Sequence, residues 1–195
     1  MTSGDNMTST AQAGQDSFAY ALSGKISQGG FVDLGCNDAT VHSNSAALEF
    51  IGWVGVLVDI IPCAAGRRSP FVMCDATRPS PELLAQYAAL PPVLGYLSVD
   101  CDEATLGALA AFPHDQVVCQ SITIEHDRYH RGDALRNQIR AFLFARGYDL
   151  VCSDVIADGY GEFEDWWAHP KWSSKGMRDK LRCQSKRGLE IASWI

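Results

Sequence analysis

Strand-like and helix-like runs alternate along this chain, and five of the strand-like runs carry a carboxylate at or next to their end. The first, 31–35, has Asp33 just ahead of Gly35; the next four, 55–59, 71–75, 93–100 and 117–125, close on Asp59, Asp75, Asp100 and Glu125. A sixth run spans 148–152. Helical spacing fills the gaps. Phe18, Leu22 and Ile26 stand four apart over 15–27. Ser43 or Ser45 is placed to cap a helix carrying Leu48, Phe50 and Ile51. Ser80-Pro81-Glu82 opens a helix with Leu83, Leu84 and Tyr87 facing inward, since proline suits a first turn. A short helix carries Leu106 and Leu109, and 133–146 aligns Leu135, Ile139, Phe142 and Leu143 before Gly147 stops it. This alternation predicts an α/β domain, a mostly parallel sheet with helices on both faces. Such sheets bind ligands at the carboxyl ends of their strands, so acids there predict a cleft for a cationic, hydroxyl-rich ligand or a metal.

The stretch Phe31-Val-Asp-Leu-Gly-Cys-Asn-Asp-Ala-Thr40 is the sharpest local signal. A buried-strand pattern runs into Gly35, whose bare backbone permits close approach of a ligand, and Asp33 and Asp38 bracket it. The spacing is not Gly-x-Gly-x-x-Gly, which disfavours a nicotinamide or flavin dinucleotide.

The 195 residues suffice for one domain, expected over 12–195. Residues 1–11 are polar, lack the apolar core of a secretory signal and read as a flexible tail. No run of eighteen apolar residues predicts a membrane span. The seven cysteines include no Cys-x-x-Cys pair, so reduced, buried thiols in a cytoplasmic protein are expected ahead of a zinc site. Charge is uneven: residues 1–170 hold 9 Lys/Arg against 21 Asp/Glu, and residues 171–195 hold 7 against 2. The acidic body should repel nucleic acid. The basic end reads as a solvated helix face or as a hold for an anionic substrate. Periodicity fails from about residue 155, so 155–195 is expected to be a late insertion or lid with a basic C-terminal segment.

Six short motifs, in order, carry a resemblance to the FkbM-type S-adenosylmethionine-dependent methyltransferases. They are Gln12-Ala-Gly-Gln-Asp16; Phe31-Val-Asp-Leu-Gly-Cys-Asn-Asp38 with Ser43-Asn44-Ser45 and Leu48-Glu49; Gly52-Trp53-Val54-Gly55; Tyr96-Leu-Ser-Val-Asp-Cys-Asp102; Ile122-Thr-Ile-Glu-His126; and Phe163-Glu-Asp-Trp-Trp167 with His169-Pro170. The resemblance runs from about Gln12 to Pro170. It implies a Rossmann-like, class I methyltransferase-like fold, with S-adenosylmethionine as cofactor and a small-molecule or glycan hydroxyl as methyl acceptor. It also implies that Asp33, Gly35 and Asn37 surround the methionine moiety, that Asp59 takes the ribose hydroxyls, and that Asp75 faces the adenine amino group. Three departures stand out. Ala39 and Glu103 occupy positions where the family has glycine, and Asp59-Ile60 stands where it has Glu-Pro.

For the acceptor, Asp100, Glu125 and His126 form the candidate catalytic set. His126 suits a general base at neutral pH. Alternatively the three hold a divalent cation such as Mg²⁺, as acids at these strand ends do in metal-dependent catechol methyltransferases, or they only hydrogen-bond their loops. Glu164-Asp165-Trp166-Trp167 reads as a lid over a sugar-like face or as a hydrophobic plug at a sheet edge. Two other functions compete: a non-catalytic binding module on the same fold, suggested by Ala39 and Glu103, and a nucleic-acid methyltransferase using the basic end, which the acidic body disfavours.

Overall fold

Among the described residues the strand-forming runs pair into one mixed sheet of 8 strands. The computed structural model describes residues 7–38, 40–62 and 66–195. Along the chain come α1 (Gln15–Leu22), β1 (Gly30–Leu34), α2 (Ala46–Phe50), β2 (Val54–Asp59), β3 (Phe71–Met73), α3 (Pro81–Ala88) and β4 (Val93–Val99). A 3₁₀ turn (Asp102–Ala104) leads into α4 (Thr105–Ala111), β5 (Val118–Glu125), α5 (Arg128–Arg131), α6 (Asp133–Phe144) and β6 (Asp149–Ile156). The chain finishes with β7 (Glu162–Ala168), α7 (Lys175–Leu181), β8 (Cys183–Gln184) and α8 (Gly188–Ala192). The sheet order is β3-β2-β1-β4-β5-β7-β6-β8, and among the described strands β7 alone runs antiparallel to its neighbours. Order reverses between β1 and β4, which opens a crevice at their carboxyl ends. The architecture is α/β, compatible with a Rossmann-like fold.

Alternating side chains feed two cores. Val32, Leu34, Val58, Leu97, Val99, Ile122 and Ile124 face Leu83, Tyr87, Leu109, Ile139 and Leu143 of α3, α4 and α6. On the other face Phe31, Leu57 and Tyr96 meet Ala19 and Leu48, and Val151, Val155 and Trp166 meet Phe18, Leu22, Leu181 and Ile191. Ser80 caps α3 by accepting from Leu83 N–H at 3.2 Å, with Pro81 at the first turn. At α2 it is Ser43 that caps, accepting from Ala46 N–H at 3.2 Å, although Ser45 is the residue flanking the helix.

Several expectations give way to packing. The helix expected over 15–27 ends at Leu22, because Gly24 and Lys25 take left-handed backbone at φ 80° and 60°, and Ile26 is exposed. Phe50 and Leu84 also face outward, so those helices bury narrower faces than their apolar content suggests. The part of the 1–11 tail that is described is tied down. Buried Asp16 accepts from Ser9 Oγ at 2.6 Å, Thr10 N–H at 2.8 Å and Ala11 N–H at 3.3 Å; residues 1–6 lie outside the described residues.

The largest correction concerns 155–195. Glu164-Asp165-Trp166-Trp167 is neither a lid nor an edge plug: it is the middle of β7, buried between β5 and β6. Its acids hid the strand, and each is answered inside. Trp166 Nε1–H donates to Glu164 Oε2 at 2.6 Å. Arg140 Nε–H and Nη2–H donate to Asp165 at 2.7 and 2.8 Å, and Asp154 N–H does so at 2.9 Å. Asp154 sits at a bulge in β6 with φ 55°, and its carboxylate pairs with Arg136 and Arg140 at 2.7 and 3.0 Å. Cations of the basic end are tied to this chain too: Arg178 to Asp149, Arg187 to Asp158 and Arg182 to Leu150 O. Among the described residues no helix is long and apolar enough to cross a membrane.

Burial alone would raise the Asp165 carboxyl, but the Arg140 guanidinium and His126 outweigh it and hold it at about 2. Because that value lies below the ordinary 3.8, the pair stabilises the fold above about pH 4 and the contribution is lost as pH falls towards 2. Asp165→Ala should therefore cost about 1.5–3 kcal/mol in urea unfolding at neutral pH, since it removes the charge-assisted bonds from Arg140 and leaves that half-buried guanidinium only Asp154. A cost below about 1 kcal/mol would show that the network carries no such weight.

A candidate ligand cleft at the carboxyl edge

β1 can end where it does because residue 35 is glycine. Gly35 has φ 81°, and a Cβ there would lie 1.7 Å from Asp100 O. Asp100 N–H donates to Leu34 O at 2.9 Å, while Gly35 and Cys36 N–H both donate to Val58 O at 2.9 and 3.1 Å. The tips of β1, β2 and β4 are thereby laced together, and the chain turns at Asn37, itself at φ 43°. Asn37 N–H donates to Asp59 Oδ2 at 2.8 Å and Ile61 N–H to Asp59 Oδ1 at 3.0 Å. Each oxygen keeps a lone pair free for a further donor. Asp75 at the end of β3 accepts from Thr77 Oγ1 at 2.7 Å and Thr77 N–H at 2.9 Å, bonds that hold its carboxyl below the usual carboxylate range.

These turns enclose a cleft of about 460 Å³, the size of a small-molecule site. Gly35, Asn37, Asp59, Asp75 and Asp100 all line it, with Ile60, Ile61 and Cys101 among the rest. Five of the residues singled out in sequence thus converge.

Asp33 does not line the cleft. It lies buried, accepting from Ser45 Oγ at 2.5 Å and bonded to Ser98, and burial pushes its pKa up. Ser45 Oγ in turn accepts from Arg67 Nη2–H at 3.1 Å, and Arg67 pairs with Glu49 at 2.5 Å. This support for the Asp33 turn had no short-range sequence signal, since Arg67 is 34 residues from Asp33. Asn44 Nδ2–H donates to Ser98 Oγ at 3.0 Å, and Asn44 Oδ1 is a buried acceptor without a partner.

Beyond β4 lies a pair of carboxyls. The side chains of Asp100 and Glu125 hydrogen-bond to one another, which requires one of them to carry a proton. Burial and the Asp100 charge both raise Glu125, so the proton resides there; burial raises Asp100 as well, while the Glu125 bond pulls it back. Glu125 Oε2 is buried with no partner. Glu164 stands directly opposite Glu125 across β5 and β7, pushed up to about 8 chiefly by burial. Three neighbouring strands, β4, β5 and β7, thus end in acids in one row, and Asp33 of β1 lies two residues further back, in register with Ser98. Glu164 belongs to the row, although in sequence it reads as part of a lid or edge plug and not as one of the strand-end acids.

His126 does not join the set. Its ring is buried, Nδ1 accepts from Arg128 N–H at 3.2 Å, and Nε2 faces Asp165 Oδ1 at 3.4 Å. The Nδ1 bond leaves the proton on Nε2, turned into the Asp165–Arg140 network. Among the described residues no cluster of metal-ligating atoms unites Asp100, Glu125 and His126. The physical reason is direction: His126 lies one residue past the end of β5 and is pinned by its own N–H to Phe163 O at 2.7 Å. Asp102, Glu125 and Asp127 do come within 4.8 Å of one another, but Arg131 already bridges Asp102, Glu103 and Asp127 at 3.2–3.4 Å.

Glu103 imposes no strain. It is absent from the residues with left-handed backbone, which here include Asp102 at φ 51°, and its exposed carboxylate pairs with Arg131 outside the cleft. Ala39, the other departure, lies outside the described residues. Comparison with family models finds no match, and no curated protein sequence matches the chain.

The protonated assignment of Glu125 has a measurable sign. A carboxyl raised above its ordinary value keeps its full stability at low pH and loses it as pH rises. Glu125→Gln supplies a permanent donor to Asp100. Its thermal midpoint should fall less than the wild type's between about pH 5 and pH 9, with a gain of about 1 kcal/mol or more at pH 8. Parallel decline of the two proteins would contradict the assignment.

Proposed function

We propose that this chain is an S-adenosylmethionine-dependent methyltransferase acting on a hydroxyl of a small molecule or glycan, with a class I methyltransferase-like fold and a cytoplasmic location. One observation carries the reading. Gly35, Asn37, Asp59, Asp75 and Asp100, named from the motifs and the strand ends, line one cleft at the point where strand order reverses. When bound, the cofactor supplies an electrophilic methyl group for in-line displacement by an oxygen.

The chain's own residues suit the remaining tasks. Gly35 lines the cleft, and its missing Cβ lets the tips of β1 and β4 close together at the cleft floor. Asp59 is oriented by two backbone N–H groups and offers its remaining lone pairs to a pair of ribose hydroxyls. Ionised Asp75 serves an exocyclic amine at the far end of the cleft. Asp100, shared with Glu125, is the group placed to accept the acceptor's proton, because burial lifts its basicity towards neutrality. The base role expected for His126 passes to this pair. Holding acceptor and methyl donor in line contributes up to roughly 7–11 kcal/mol in favourable cases. No step is assigned to a metal; Arg131 pairs with Asp102 and Asp127 beside the Asp100–Glu125 pair.

Calorimetry with S-adenosylhomocysteine tests the cofactor half of the reading. Wild type should bind saturably, and Asp59→Ala, folded by circular dichroism, should bind roughly 100-fold more weakly, the worth of one or two charge-assisted hydrogen bonds. No heat with either S-adenosylhomocysteine or S-adenosylmethionine would end the proposal.

A further inference from the structure

The last strand pair of the sheet sets two thiols face to face. β8 is an edge strand parallel to β6, with Cys183 directly opposite Cys152 and Gln184 opposite Ser153. Neighbouring strands lie about 4.7–4.9 Å apart, inside the Cα span of about 4.4–6.8 Å that disulfides tolerate. Cys152 S–H donates to Leu181 O at 3.1 Å, and the Cys183 thiol is its electrostatic neighbour across the strand pair. Both cysteines are free thiols.

The pair is asymmetric in a way that suits exchange chemistry. Cys152 is fully buried, whereas Cys183 is half-buried and lines a surface cleft of about 510 Å³ with Arg182, Gln184 and Ser153. The neighbouring Cys152 lowers the Cys183 thiol, with help from the Lys186 ammonium, while burial drives the Cys152 thiol well above its ordinary value. A reachable, thiolate-prone sulfur thus stands in front of a shielded one, as in attacking and resolving cysteines.

We propose that Cys183 and Cys152 form a reversible disulfide by exchange with a small disulfide such as oxidised glutathione. The Cys183 thiolate attacks one glutathione sulfur, forming a mixed disulfide and releasing one glutathione thiolate, which takes up a proton. Cys152 then attacks Cys183 Sγ, breaking the mixed bond, and its proton passes to the departing second glutathione thiolate. The protein loses two electrons and two protons, and oxidised glutathione becomes two thiols.

The bond would act on the end of the chain. β8 is otherwise held by its two opposed residues, by Ser185 N–H to Ser153 O at 2.9 Å and by Ile156 N–H to Lys186 O at 3.0 Å. A covalent tie at Cys183 would pin the α7–β8–α8 segment to β6. The inference goes beyond the methyl-transfer reading and does not depend on it.

The test incubates the folded, full-length protein with oxidised and reduced glutathione at graded ratios. Free thiols are trapped by alkylation and peptides read by mass spectrometry. The expected result is a Cys152–Cys183 cross-linked peptide lighter by two hydrogens, reversed by dithiothreitol, with Cys119 still alkylatable after unfolding. The oxidised protein should melt roughly 5 °C or more above the reduced one, and Cys183→Ser or Cys152→Ala should show no such shift. A glutathione adduct that stays on Cys183, a cross-link formed only in denaturant, or no reaction at either cysteine would each overturn the proposal.

Discussion

The close approach of the Gly35 backbone to the Asp100 carbonyl sets the geometry on which the rest of the molecule depends. A side chain at that position would overlap the carbonyl outright. Without it, β1 and β4 come out of the sheet side by side, and the polypeptide departs from them in opposite directions. That divergence opens the cleft, and the hydrogen bonds from Gly35 and Cys36 to Val58 O bring the tip of β2 to its rim. The acids at 59, 75 and 100 face a common space because of this one contact.

Burial divides the strand-end acids into two kinds. Asp59 and Asp75 remain in touch with solvent and are organised by backbone or hydroxyl donors, Asn37 and Ile61 for Asp59 and Thr77 for Asp75. Asp33, Asp100, Glu125 and Glu164 are drawn further in, and desolvation is the first cause of every shift among them. An ionised quartet at this density would be costly, and proton sharing is the cheaper arrangement. A cationic ligand group entering beside Asp100 would reverse that preference by favouring the ionised forms.

Much of the architecture was legible because it rests on local patterns. Runs such as 93–100 carry enough Val, Leu and Tyr to announce a strand, and Ser80-Pro81 announces a helix start. The cleft residues were legible for the same reason, since Gly35 and Asp59 sit at strand ends that the pattern itself marks. What escaped was whatever required knowing a distant partner. β7 reads as a polar segment until Arg140 and Asp154 are brought to Asp165, 25 and 11 residues away. His126 looks like a free base until Asp165 turns up behind its ring. Ile26 looks inward until Gly24 and Lys25 end the helix.

The reversed β7 has a consequence for how the chain is made. β5 and β6 run parallel but do not touch; the strand that joins them is synthesised after both. Until Ala168 has left the ribosome, β5 therefore presents an unpaired edge bearing Ile122 and Ile124, and β6 has no sheet to join. β6 and β7 are close in sequence and form a hairpin with little loop entropy to overcome, so they can dock onto that edge as one piece. The nascent protein thus passes through a stage with an open, apolar strand edge, the kind of surface that self-associates or engages chaperones.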